Sequence, residues 1–126
     1  MELLHGEITR GIIKAFYDVY NELGYGFLEK VYQNALYFEL KERGFDCKCQ
    51  EKINVYYFDK KVGEYYADIL VNDKVILELK AMESLHPNHE KQLINYLKAT
   101  TFEVGLLLNF GIKPEHKRKV LQNVNK

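Results

Sequence analysis

The fold of this chain turns on Tyr66-Ala67-Asp68-Ile69-Leu70-Val71-Asn72-Asp73-Lys74-Val75-Ile76-Leu77-Glu78-Leu79-Lys80. Two short strands rich in Ile, Leu and Val flank a polar turn at Asn72-Asp73-Lys74. Asp68 stands in the first strand, and Glu78 and Lys80 stand in the second, where an ordinary buried strand carries apolar residues. Side chains alternate along a strand, so Glu78 and Lys80 share a face with Ile76, while Val75, Leu77, Leu79 and Ala81 line the other. A charge inside so apolar a hairpin is costly unless it is paired or binds a metal. The register decides what these charges can do. A two-residue turn at Asn72-Asp73 pairs Val71 with Lys74 and puts Asp68 on the face opposite to Glu78. A three-residue turn or a bulge pairs Val71 with Val75, and sets Asp68 across from Glu78 and Tyr66 across from Lys80. Only the second register brings the carboxylates together, and two converging carboxylates suit a divalent cation. The plain alternative is a surface hairpin whose Glu–Lys face sits in water.

With 126 residues the chain is expected to form a single domain, 1–126, around one core. Its 18 basic and 18 acidic residues balance, so no global basic field announces a nucleic-acid partner, although a local basic groove remains open. No apolar run approaches the length that crosses a bilayer, and the start of the chain lacks the layout of a signal peptide. A soluble, cytoplasmic protein is expected. Cys47 and Cys49 are spaced as alternate residues on a strand, which disfavours a mutual disulfide, and with no further cysteine there is no zinc pattern. Both are expected to be buried, reduced thiols.

Ile8, Ile12, Phe16, Val19 and Leu23 recur at helical spacing, predicting a helix over 7–23 that Gly24 stops. A second helix is expected over 28–43, with Leu28, Val31, Ala35 and Phe38 as its inward stripe. Glu29, Tyr32 and Gln33 share a face of it. From Phe45 to Tyr57 the period is two, interrupted at Glu51, where a bend is expected. Asp59-Lys60-Lys61 is read as the turn into the central hairpin. After Lys80, a loop containing His86 leads to a helix over 88–100, in which Gln92 and Tyr96 lie one above the other. His86, His89 and Glu90 lack a second set of ligands, which argues against zinc. The continuous apolar run Val104–Phe110 reads as a strand covered on both faces. Lys113–Lys119, with Pro114 near its start, reads as a short basic helix at the C-terminal end.

The resulting order of helices and strands has an αβββαβ core with acids at Glu29, Asp68 and Glu78 and with Lys80 behind the last. This order and these residues resemble the PD-(D/E)xK nuclease superfamily, and the resemblance runs from about Glu7 to Phe110. Gly26-Phe-Leu-Glu29-Lys-Val-Tyr32 is similar to the motif that names the GxxExxY family within it, Glu78-Leu-Lys80 to the ExK element, and Gln92-Leu-Ile-Asn-Tyr96 to the QxxxY motif of RecB-like members. Ala67 stands where the superfamily name implies proline.

The resemblance implies a restriction-endonuclease-like α/β fold, a central mixed sheet flanked by helices, and a metal-dependent nuclease acting on nucleic acid, DNA before RNA. It also implies Mg²⁺ or Mn²⁺ as the cofactor, held by Asp68 and Glu78 with Glu29 as a third ligand. Lys80 would help to activate water, and Gln92 and Tyr96 would support the site by hydrogen bonding. The alternative on the same fold is a catalytically silent module that binds nucleic acid or protein. The oligomeric state is left open, a homodimer among the options.

Overall fold

In the computed structural model, which describes residues 3–126, the periodic apolar pattern of the first third becomes two helices, α1 (Gly6–Leu23) and α2 (Glu29–Glu42). They are followed by β1 (Cys47–Tyr57), β2 (Lys60–Val71), β3 (Val75–Lys80), α3 (Pro87–Lys98), β4 (Val104–Phe110) and β5 (Pro114–Val120), and by a closing 3-10 turn at Asn123–Asn125. The strands form one mixed sheet in the order β1-β2-β3-β4-β5. β3 and β4 are parallel and the other neighbours antiparallel. α3 is the crossover that a parallel pair requires. On one face α1 and α2 press Phe16, Leu36 and Leu40 against Leu77, Leu79, Leu106 and Phe110. On the other, Leu93 and Leu97 of α3 meet Leu70, Ile76 and Leu107. β4 is buried along its whole length, as a strand covered on both faces must be.

The hairpin takes the register that aligns the acids. Val71 pairs with Val75, Leu70 with Ile76 and Ile69 with Leu77. Asn72 and Asp73 both adopt left-handed backbone (φ 53° and 52°), and the Lys74 amide closes the turn onto the Val71 carbonyl at 2.9 Å. Asn and Asp tolerate that region better than most residues, and Lys74 is the extra residue that shifts the register. The paired ladder ends at Ile69 and Leu77, so Tyr66 does not reach Lys80; it pairs with Lys52 of β1 instead.

The expected bend in β1 falls at Gln50, which has φ 54°. Cys47 packs with the α1–α2 side, whereas Ile53 packs with the α3 side, although both are odd-numbered. β2 switches in step, since Ile69 lies in the first cluster and Ala67 in the second. The two strands change faces together across Gln50 and Asp68, and their register holds from Cys49–Ile69 to Glu51–Ala67.

Four readings need correction. The C-terminal helix is the strand β5, paired to β4 from Phe110–Pro114 to Val104–Val120. The outer edge of β4 carries buried backbone donors and acceptors that need partners, and a lysine-rich strand supplies them while discouraging further pairing at the sheet edge. α2 buries Tyr32, Gln33, Leu36 and Leu40, while Leu28, Val31 and Phe38 are exposed. The polar Tyr32 can turn inward because its hydroxyl finds partners in the preceding loop. Cys49 is exposed, lying next to the bend, whereas the Cys47 thiol is buried, which pushes it up to about 11. Finally, the turn between β1 and β2 lies at Phe58-Asp59, one residue earlier than expected.

Candidate active site

Past Ile69 and Leu77 the side chains of the two acids take over from the ladder. The Asp68 amide donates to Glu78 Oε1 at 3.3 Å, and the Leu79 amide donates to Asp68 Oδ2 at 2.7 Å. β2 therefore peels from β3 at a cleft occupied by carboxylates. Glu78 is 6% exposed although charged residues are seldom buried so deeply without a partner.

The other expected residues approach this cleft from both faces. Glu29 begins α2, directly after the loop that Tyr32 holds: the Tyr32 hydroxyl donates to the Gly24 carbonyl and accepts from the Phe27 amide at 3.2 Å. Tyr32 is fully buried and stacks on Phe110 at 4.3 Å between ring centroids. Gly26 takes φ 117°, which side chains rarely adopt. The Gly and Tyr of this motif thus fix the start of the helix and place Glu29, which is exposed, in its first turn, near enough for Asp68 to raise it. From the opposite face, Gln92 Nε2 donates to the Tyr96 hydroxyl at 3.0 Å, and Tyr96 is 6% exposed.

Electrostatics ties the set together. Burial first, then the charge of Asp68, pushes the Glu78 carboxyl up to about 8, against the pull of Lys80. Asp68 is raised by burial despite the Leu79 amide and the charges of Lys80 and Lys30. Glu29 is raised by burial and then by Asp68, with Lys80 opposing. The Tyr96 hydroxyl is pushed up to about 12 by burial and by Glu78 and Asp68. Glu29, Glu78 and Tyr96 each feel the charge of Asp68, and Gln92 joins through Tyr96. Among the described residues Lys80 makes no ion pair within 4.0 Å, so no full neutralisation of the acids is present.

Paired carboxyls whose burial resists ionisation until a positive charge arrives fit a hard divalent cation, and that holds for Asp68 and Glu78. Among the described residues no three His, Cys, Asp or Glu side chains are grouped closely enough to hold a metal ion, so Glu29, which is exposed, does not join Asp68 and Glu78 as a third donor in this structure. The donors on offer are the Asp68–Glu78 pair, with Glu29 at the rim. His86 and His89 serve as caps for α3: His86 Nδ1 accepts from the Asn88 amide and His89 Nδ1 from the His86 amide, each at 3.1 Å.

Three participants, Lys30, Gln50 and Asn109, escaped the sequence reading, and Gln33, placed there on the face of Glu29, joins them. Lys30 is near enough to lower Asp68 and Cys49. Gln50, at the bend, donates through Nε2 to Gln33 Oε1 at 3.1 Å and also steadies the Asp68 carboxylate. Gln33 is 4% exposed and its Nε2 has no hydrogen-bond partner. Asn109, opposite Lys80 in β4, clamps the loop after β3 by accepting from the Met82 amide at 3.1 Å and donating to its carbonyl at 3.0 Å. A polar residue inside the apolar run Val104–Phe110 was the signal available for it.

A mixed sheet flanked by helices, with an acid pair and a lysine on adjacent strands, defines a restriction-endonuclease-like α/β protein. Residues 6–120 match the family model of the PD-(D/E)XK nuclease superfamily, and the chain belongs to that superfamily. Nucleases of this superfamily usually use divalent metals, and their substrates are nucleic acids. Among solved structures, the crystal structure of SSO0001 is similar, with a TM-score of 0.59 and 18% identity over 94% of this chain and 60% of that one. The chain thus spans about 60% of the length of that protein, and the likeness carries the fold alone. No curated protein matches the chain. Among the described residues no helix is long and apolar enough to cross a membrane.

Proposed function

We propose that the chain is a metal-dependent nuclease, a single domain over 1–126 of the GxxExxY type, cytoplasmic, that hydrolyses phosphodiester bonds, with DNA as its substrate. One observation supports this reading above the others: at the end of the β2–β3 ladder the Asp68 and Glu78 carboxylates each accept from a backbone amide of the other strand, which sets the two acids side by side with Lys80 two residues on. A binding-only domain has no use for such a concentration of like charge. Asp68 and Glu78 would hold Mg²⁺ or Mn²⁺, with Glu29 completing the set. Bound there, the cation supplies neutralisation of phosphate charge and eases deprotonation of water.

The reaction needs a water oxygen to bond to phosphorus while the ester P–O bond breaks, a proton leaving the water and one reaching the departing oxygen. Lys80 orients that water and offsets the charge that builds on the phosphoryl oxygens. Gln92 fixes the Tyr96 hydroxyl, and Tyr96, kept protonated, has its one O–H to donate to a carboxylate or the substrate. Asn109 keeps the end of β3 from fraying, so that the Lys80 ammonium stays in place.

The test is cleavage of single-stranded, double-stranded and branched DNA and of RNA with Mg²⁺ or Mn²⁺, alongside calorimetry of ion binding. Ion binding with ion-dependent cleavage is expected. Neither cleavage nor ion binding would hand the chain to the silent binding module.

A further inference from the structure

β1 and β2 continue beyond the acid cleft as a two-stranded arm, and between this arm and α3 lies a groove of about 850 Å³. We propose that this groove holds a single-stranded segment of the nucleic-acid substrate, with unstacked bases laid on Tyr56 and Tyr65 and phosphates met by Lys91 and Lys98. The proposal deepens the nuclease reading and rests on it.

Three observations carry it. Tyr56 and Tyr65 line the groove yet are 58% and 47% exposed, presenting ring surface that no core requires. The groove wall contains two lysines and a histidine but no Asp or Glu. In a chain with 18 residues of each sign, that local bias is what a polyanion would sense. Finally, the wall includes Gln92 and Tyr96, and Tyr65 lies against Tyr96 with ring centroids 5.4 Å apart. A strand in the groove is therefore led to the residues that touch the acid cleft.

Single strands suit these groups better than a duplex. Base stacking on an aromatic ring needs the face of the base, which a duplex hides within its own stack. The cavity also has the size of a small-ligand pocket, enough for nucleotide units and too small for a double helix. Asn95, in the same wall, can meet the edge of a base that has lost its Watson–Crick partner.

Fluorescence anisotropy in EDTA, where no cleavage occurs, tests the proposal with labelled oligo-dT, oligo-U and a DNA duplex of equal length. Oligo-dT or oligo-U should bind more tightly than the duplex, and whichever strand binds better identifies the source. Tyr56→Ala and Tyr65→Ala should each weaken strand binding by about five- to a hundredfold, the range for loss of one base–aromatic stack. Tyr56→Phe and Tyr65→Phe, which keep the ring, should bind like the unmodified protein and guard against misfolding as the cause. Lys91→Ala and Lys98→Ala should each flatten the salt dependence by about 0.7 in log–log slope. Alanine variants that bind as tightly as the parent, equal affinity for duplex and strand, or no strand binding at all would overturn the groove. The two readings fail separately. A protein that binds strands through Tyr65 yet never cleaves keeps the groove and loses the nuclease, and one that cleaves with indifference to both tyrosines does the reverse.

Discussion

The backbone amide of Asp68 donates to the carboxylate of Glu78 at 3.3 Å, and Asp68 returns the favour one residue on by accepting from the Leu79 amide at 2.7 Å. Two strands that would otherwise zip by backbone pairing are held apart by their own acids. The peptide groups are still satisfied, as buried peptide groups must be. Each carboxylate keeps a second oxygen, and Lys80, on the same strand as Glu78, is a compensating charge for both acids.

That arrangement fixes the sign of a pH dependence. The Glu78 carboxyl lies at about 8 in the fold against 4.5 for the free group, so the native state binds its proton more tightly than the unfolded chain. The stabilisation is fully present below the unfolded value and is lost as pH rises through about 8. Its size is on the order of a few kcal/mol. Urea denaturation in EDTA should show the protein losing stability from about pH 5 to 8, and Glu78→Gln should flatten the profile and be the more stable form at the upper end. A wild-type profile that rises over this interval would show that the displacement has the opposite sign.

Asp68→Ala and Lys80→Ala should both stop cleavage, for different reasons. Loss of Asp68 removes a donor, so calorimetry should find weaker Mg²⁺ or Mn²⁺ binding. Loss of Lys80 removes a positive charge beside the acids, so ion affinity should hold or rise while turnover drops by about 10²–10⁴. Equal loss of ion binding in both variants would remove the distinction between ligand and helper.

Tyr32→Phe isolates the helix-starting device. The ring stays and keeps its stack on Phe110, but the Gly24 carbonyl and Phe27 amide lose their shared partner. A cost of about 1–3 kcal/mol is expected in a thermal or urea melt. Because Glu29 follows that loop, cleavage should also need more Mg²⁺ to reach half its maximum. A melt shifted as expected with an unchanged Mg²⁺ requirement would confine Tyr32 to folding.

The hairpin was legible because its apolar runs, its polar turn and its three misplaced charges narrowed the register to two choices. The local signals that chose wrongly are instructive. Lys113–Lys119 carries a helix-start proline and a run of lysines, and nothing local reveals that the outer edge of β4 needs a backbone partner. In α2, Leu28 and Phe38 looked like core by hydropathy, yet the face carrying Tyr32, Gln33, Leu36 and Leu40 is the buried one. Gly24 and Phe27 supply what the Tyr32 hydroxyl needs, and these partners are invisible to an apolar count. The site showed the same limit: Asp68, Glu78 and Lys80 stood out as charges in strands, whereas Lys30, Gln33 and Gln50 sit among polar neighbours and are defined by the bend.

Gln50 offers the last test, because its backbone and its side chain can be separated. A non-glycine residue in left-handed backbone costs about 1–2 kcal/mol, and Gln50 carries that strain at φ 54°. Its side chain meanwhile bonds Gln33 and steadies Asp68. Gln50→Ala keeps the strain and loses the side chain, while Gln50→Gly loses both. The glycine variant should therefore melt higher than the alanine variant, by about 1 kcal/mol. Both should cleave more slowly than the parent and to a similar extent, since each releases Asp68 from the amide beside it. If the glycine variant regained full cleavage, strain at the bend and not the Gln50 amide would be what governs Asp68.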